Sequence, residues 1–538
     1  MPKEKSSRLA QRHFGVKVRV WILVTVLLVV LFVTHRIFPS AETFQPYSTA
    51  NLKSKNYLNN TEHEPNPFDF CPAFGPNDTL GKKHGELKLS QSRLHLGSNA
   101  RVNRVITRAL AGQPVTISVL GGSVSACHGA GDDPVSPKCY PSRFFQWWTS
   151  VFPHPASELT NGAMRRTNSA YYGYCSTHHI PDMTDLVIIE LDSDDSPTSE
   201  MMEHFEILIR SLLLRPDQPA VMLLGHFSTQ VHQTHGFLGP DHYHDVVAQF
   251  YDIPHVSTKP LLYADYMSNP NSVKQYYADA VLANPEGHEL LTDVLVSYFQ
   301  SQICAVWDNV ASETHDPEST VGSESHGLFG GVGLRKGVPG APGGELDEKK
   351  ADVDAEGNPI MALLPPTSNA YVPPLHVPPA RINTRPDDAH PFEEIAPSCV
   401  SANDLINPLP PSLFYGSGWS ANHPAKRTQS TRDYYWYSTL PLSKLRVPIQ
   451  VGAGDIGVYF LEEPESEIGE GSAVECWVDD NYPGAKVLEN SAQIGESTPR
   501  MEIIDHFVTR GSHFVECQLL GEEGQTVPAF KIIGIFAS

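Results

Sequence analysis

The sequence predicts a three-layer α/β/α domain built on a parallel sheet, followed by a C-terminal antiparallel β-sandwich. Pro114–Leu120 (PVTISVL), Leu186–Leu191 (LVIIEL) and Ala220–Gly225 (AVMLLG) are short apolar runs rich in branched residues, as strands buried on both faces require. Helical candidates lie between or after them, at Ser142–Val151, Met201–Leu214, His242–Tyr251 and Glu286–Gln300, the alternation expected of a layered α/β domain. In the last 140 or so residues, RVPIQV, DIGVYFLEE, SAVECWVDD, RMEIIDHFV, SHFVECQLL and AFKIIGIFAS are strand-like runs separated by Gly, Pro and acidic turns, with no long amphipathic helix among them.

The chain has 538 residues, room for about two to four domains. Lys plus Arg number 39 and Asp plus Glu 61, a formal charge of −22. Such an acidic surface repels phosphate backbones and argues against nucleic acid as a partner. The apolar fraction of 40% supplies packed cores but is too low for a polytopic membrane protein.

From the N-terminus, residues 1–19 form a basic tail, with Lys3, Lys5, Arg8, Arg12, Lys17 and Arg19 against Glu4 alone. Val20–Thr34 is an apolar run that extends to Phe38, close to the ~20 residues that span a bilayer. Positive charge before it predicts a cytosolic N-terminus, so residues 20–38 read as a single-pass signal-anchor; a cleaved secretory signal is the alternative. On either reading the bulk of the chain is expected in the Golgi or secretory lumen or at the cell surface. Residues 39–70 read as a polar stem. Sequons at Asn59 and Asn77 are candidate glycosylation sites.

All eight cysteines follow the anchor, and no C-x-x-C pair occurs, so disulfides are expected rather than zinc. Cys127 with Cys139 and Cys476 with Cys517 are the plausible local pairs. Residues 71–307 hold the α/β pattern. Residues 308–395 shift to Asp, Glu, Gly and Pro without apolar periodicity and read as a disordered insertion. Residues 396–538 form the sandwich, either a structural cap or a carbohydrate-binding module with Trp477 or Tyr459 as a sugar platform.

The candidate chemistry begins at Val119-Leu120-Gly121-Gly122-Ser123-Val124-Ser125, where a serine follows a buried strand at the sheet edge that binds ligands in open α/β folds. The glycines allow close backbone approach and are expected to leave amides free for an oxyanion. Taken alone, Gly-Gly-Ser reads better as a plain turn.

Four blocks in order resemble the SGNH (GDSL-like) hydrolase superfamily, over about residues 100–300: LGGSVSACHG, Asn161–Cys175 (NGAMRRTNSAYYGYC), Asp185–Asp195 (DLVIIELDSDD) and Asp279–His288 (DAVLANPEGH). The resemblance implies a flavodoxin-like fold, Ser123 as nucleophile, Gly122 and the second block around Arg166 near the oxyanion, and Asp279 as the triad acid. It also shows departures. Arg165-Arg166 stand where glycines are expected, Asp194 where an oxyanion-donating asparagine is expected, and Leu282 where the base histidine is expected. An ionised carboxylate repels an oxyanion, and without an imidazole a serine has no general base. Loss of one triad member alone costs about 10⁴-fold in rate. His288 and His128 are the possible substitute bases.

Two further clusters have metal-ligating residue types. His226, His232, His235, Asp241, His242 and His244 crowd one segment, and Asp192, Asp194 and Asp195 another; both read more simply as a solvated loop and an acidic turn. No metal and no cofactor is expected. Three functions remain: a membrane-anchored SGNH-like protein that binds a glycan or a partner through a degenerate site, an active serine esterase or O-acyl transferase on acylated polysaccharide using Ser123, and a structural membrane interaction protein. Oligomeric state is not legible.

Overall fold

The computed structural model describes residues 12–13, 16–17, 20–21, 23–29, 47–59, 66–312, 375–386, 392–424, 429–452 and 454–538. Residues 1–48 form one compact unit and residues 49–538 a second. In the first, Arg12–His13 pairs antiparallel with Val16–Lys17, and residues 20, 21 and 23–29 are helical. No helix among the described residues is long and apolar enough to cross a membrane. This overturns the expected single-pass membrane location. The described helical residues reach about half the length a bilayer requires, and residues 30–38 of the expected span lie outside the described ones.

The second unit opens on the α/β domain. Its strands are β1 (Arg93–His95), β2 (Thr116–Gly121), β3 (Glu158–Asn161), β4 (Leu186–Glu190), β5 (Ala220–Gly225) and β6 (His255–Ser257). They form one sheet in the order β1-β6-β5-β4-β2-β3, parallel throughout except for the edge strand β1. Alternation within the central strands builds the two outer layers. Leu186 and Ile188 join a core shared with helices Ala100–Leu110, Tyr140–Val151 and Pro285–Ser312. Val187 and Ile189 face the opposite core, with Tyr171 of helix Ser169–Cys175 and Leu208 of helix Ser199–Leu213. The fold is therefore the expected three-layer α/β/α arrangement.

The connection after β2 runs outward to β3, and the next returns to β4 on the other side of β2. The chain thus reverses direction between β2 and β4, the place where open α/β sheets form a ligand crevice. Ser123 follows β2 and Asp194 follows β4, so the topology brings both to that crevice.

The C-terminal strands are β7 (Ser398–Ser401), β8 (Ser420–Asn422), β9 (Tyr435–Ser438), β10 (Lys444–Val451), β11 (Gly454–Pro464), β12 (Ala473–Val478), β13 (Lys486–Glu489), β14 (Ser491–Ala492), β15 (Thr498–Val508), β16 (Gly511–Leu519) and β17 (Phe530–Ala537). Strands β10-β16-β12-β13 form one antiparallel sheet. The other seven make a second, antiparallel except where β14 runs alongside β11. The inner faces bury Val447, Ile449, Val458, Phe460, Ile533 and Ile535, and the same core continues into the α/β domain through Tyr171 and Tyr174. Tyr459 packs in it, stacked on Phe536, and Trp477 is buried too, so neither serves as the sugar platform expected of them.

All eight cysteines are paired: Cys71–Cys304, Cys127–Cys139, Cys175–Cys399 and Cys476–Cys517. The two long-range bridges were not legible in the sequence. Cys175–Cys399 ties the helix after the second block to β7 of the sandwich. The C-terminal end of the region expected to be disordered packs as a strap: Glu206 accepts from the Ile382 amide at 2.7 Å, and Arg210 donates to the carbonyls of Pro378 and Ala380 at 2.9 and 2.8 Å.

Candidate functional site

Ser123 sits in the turn after β2, 8% exposed. The turn depends on Gly122: a Cβ there would lie 1.8 Å from Asp194 Oδ2. The Ser123 hydroxyl donates to Asp194 Oδ1 at 3.2 Å and accepts from the Arg166 backbone amide at 3.0 Å. Arg166 adopts φ +54°, a left-handed conformation that glycine takes freely and arginine rarely. The amide expected from a glycine is therefore delivered by an arginine, whose side chain leaves toward the sandwich.

The amides expected to be free are not. Gly122 N–H donates to Glu190 O at 3.2 Å, and Ser123 N–H donates to Asp194 Oδ2 at 3.0 Å. The Asp194 carboxyl group thus occupies both the serine's amide and its hydroxyl. Burial raises the Asp194 pKa to about 7, with the Asp195 charge adding to it and the Ser123 hydrogen bonds and Arg432 opposing.

Around this pair lies a buried polar network. His244 bridges Asp192 and Asp195, with Nδ1 2.8 Å from one carboxylate and Nε2 2.8 Å from the other, under the ring of Phe205. Burial alone would lower its pKa, but the two carboxylates outweigh that and hold it at about 10, so the ring is an imidazolium. Asp195 also takes the Ser169 amide, at 2.8 Å, and the Ser169 hydroxyl. The acidic turn is therefore braced by ion pairs with His244. Behind the serine, Ser125 Oγ lies 3.0 Å from Glu190 Oε2 and 2.8 Å from Tyr140 OH. Burial, with the charges of Asp194 and Asp192, drives the Glu190 pKa well above the carboxylate range.

The rings of the substitute bases are engaged by other partners. His288 is fully buried, its Nδ1 accepting from the Tyr140 amide at 3.3 Å, and burial lowers its pKa to about 3. His128 pairs through Nδ1 with Asp132 at 2.6 Å, and Asp132 also takes Arg165 at 2.8 Å. Asp279 Oδ1 accepts the amides of Val281 and Leu282, each at 2.7 Å, and so caps its own turn. Leu282 packs partly buried on the α/β core, beside Gly129 of the loop that follows Ser123. The histidine-rich segment is dispersed: His226 Nε2 lies 2.8 Å from Val281 O, and His232 packs on Tyr263 and Tyr266. Among the described residues, the one cluster with metal-ligating atoms in mutual reach is Cys175, His178 and Cys399, and its cysteines are joined as a disulfide. Asn77 is exposed at the start of a helix capped by Asp78, and Asn59 is exposed beside residues outside the described set.

The mouth of the site draws on residues the sequence reading did not single out. The sandwich loop 429–432 lies against the second block: Arg165 N–H donates to Gln429 O at 2.5 Å, and the Thr167 and Thr431 hydroxyls are 3.0 Å apart. The Arg166 guanidinium pairs with Glu496, whose Oε2 is also 4.0 Å from Arg432 Nη1. Loops more than 250 residues further along the chain supply these groups, so no local spacing announces them.

Comparison with solved structures places the whole arrangement. A two-domain esterase (CEX) active on acetylated mannans superposes with a TM-score of 0.53 at 19% identity, over 84% of this chain and 98% of that one. The chain shares its two-domain fold with that protein. The same esterase co-crystallised with mannopentaose gives a TM-score of 0.52 at 18% identity, over 84% and 99% of the two chains. Searched against family models and against curated proteins, the chain gives no match.

Proposed function

We propose that this protein binds a glycan in the crevice at Ser123 and does not hydrolyse it by a serine–histidine–aspartate triad. The observation that carries this reading is the pairing of the Ser123 hydroxyl. Among the described residues its partners are Asp194 and the Arg166 amide, with no imidazole in contact. A serine without a neighbouring imidazole lacks the base of the triad, and a carboxyl group on the serine amide fills the space in which an oxyanion would be stabilised. Glycan as the ligand is supported by the shared two-domain architecture of the esterase active on acetylated mannans.

A second reading, a serine esterase, is favoured by one contact. With its pKa near 7, Asp194 has the basicity to take the Ser123 proton across 3.2 Å. Fluorophosphonate labelling of residues 49–538, read by intact mass with Ser123→Ala as control, separates the two. The binding reading expects no adduct on folded protein and micromolar-to-millimolar titration with acetylated manno-oligosaccharides. A serine-dependent adduct with release of acetate overturns it in favour of the esterase.

A further inference from the structure

We infer that the crevice is specific for an acidic saccharide, a chain containing uronate residues, and that Glu496 occupies the position of the sugar carboxylate in the free protein. This rests on the glycan-binding reading and narrows its ligand.

Two guanidinium groups, Arg166 from the α/β domain and Arg432 from the sandwich, converge on the single carboxylate of Glu496. Arg166 is also the residue whose backbone amide touches the Ser123 hydroxyl, so the residue that carries one of the two guanidiniums is anchored at the serine. The two guanidiniums share the Glu496 carboxylate, and Arg432 also faces the Asp194 carboxyl, whose pKa of about 7 leaves it protonated in mildly acidic solution. Burial, and after it the Arg166 charge, lowers the pKa of Arg432, which shows that the two guanidiniums oppose each other at this spacing. A second observation points to a missing acceptor. Arg432 Nε is buried with no hydrogen-bond partner among the described residues, and a buried donor of this kind ordinarily meets water or a ligand.

Beside Arg432 lies a groove of about 370 Å³, open to solvent, lined by Asn422, Tyr435 and Ser497 together with the carboxylates Asp433 and Glu463, the latter paired with Lys531 at 2.6 Å. Asn and Ser offer hydroxyl partners, and the Tyr435 ring, with Lys531 Nζ 5.4 Å from its centroid, offers a face for a pyranose. The groove thus adjoins Arg432, and Arg166 adjoins Ser123 through its backbone. Planar guanidiniums suit carboxylate recognition. The contact to be displaced is weak: Glu496 is 66% and Arg166 51% exposed, and ion pairs so open to water contribute little. A uronate that replaces Glu496 across both arginines exchanges an exposed pair for a more enclosed one.

The test is isothermal titration of residues 49–538 with tetragalacturonate and, separately, with mannopentaose, at 50 and 300 mM salt. Tetragalacturonate is expected to bind at least about tenfold more tightly than mannopentaose, and more weakly at high salt. Arg432→Gln should cost tenfold or more in uronate affinity, and Glu496→Gln should raise it several-fold. Melting curves check that each variant is folded, and Arg166→Gln provides a second, more exposed removal of charge. Equal affinity for the two sugars, or uronate binding indifferent to Arg432→Gln and Arg166→Gln, overturns the inference while glycan binding stands. Binding of neither sugar by folded protein overturns the inference and the glycan reading together.

Discussion

The hydroxyl of Ser123 donates to Oδ1 of Asp194 at 3.2 Å while its own amide donates to Oδ2 of the same side chain at 3.0 Å. One carboxyl group therefore takes both groups that an acyl-transfer site of this fold would present to its substrate. The arrangement converts a serine turn that looks nucleophilic in sequence into one satisfied from within.

The Asp194 carboxyl carries a pH signature. Its pKa stands near 7 against an ordinary 3.8, mainly through burial. The folded chain therefore holds a proton that the unfolded chain sheds above about pH 4. The stability from this group is complete below pH 4 and is lost as pH rises through 7. Asp194→Asn does not titrate, and its amide can accept from the Ser123 amide and donate to the hydroxyl. The gain in melting temperature of Asp194→Asn over wild type is expected to grow between pH 4 and 7 and level off above. Asp194 is half-buried, and that exposure limits the expected change to on the order of 1–3 kcal/mol. A difference that stays flat from pH 4 to 8 contradicts the raised pKa.

Position 282 invites reconstruction. Leu282 follows Asp279 by three residues and packs beside the loop that follows Ser123. The double variant Leu282→His/Asp194→Asn restores an imidazole and clears the carboxylate from the serine. It is expected to gain serine-dependent fluorophosphonate labelling and at least about tenfold faster hydrolysis of 4-nitrophenyl acetate than wild type. Leu282→His alone should gain less, because Asp194 still holds the serine. A folded double variant with no gain would mean that the turn at 279–282 cannot reach Ser123.

The bridge Cys175–Cys399 spans 224 residues of sequence and joins the two domains near the site. Replacing both cysteines by serine is expected to cost about 2–5 kcal/mol in chemical denaturation. It should also weaken ligand binding, since the loop 429–432 that carries Arg432 depends on the same docking. A loss below about 0.5 kcal/mol would show that the shared apolar core holds the domains without the bridge.

The sequence by itself determined the elements and their class. Branched apolar runs at 114–120, 186–191 and 220–225 became β2, β4 and β5, because a strand buried on both faces needs such residues along its whole length. Six strand-like runs after residue 440 became β10, β11, β12, β15, β16 and β17 for the corresponding reason in a sandwich. Local spacing also carried Cys127–Cys139, Ser123 at its strand end and the absence of a histidine at 282. The short strands β1, β3 and β6 were not legible, since three or four residues hold too little pattern to stand out. The apolar run at 20–38 reads as a membrane span, whereas no helix among the described residues is long and apolar enough to cross a membrane.

Only the tertiary structure decided the rest. That Arg166 delivers an amide to Ser123 depends on a left-handed backbone which no side-chain identity announces. That His244 is a buried brace rather than a metal ligand depends on Asp192 and Asp195 arriving from another strand end. The grouping of Arg432 and Glu496 over the serine depends on how two domains dock, and docking places side chains by packed surfaces rather than by sequence distance.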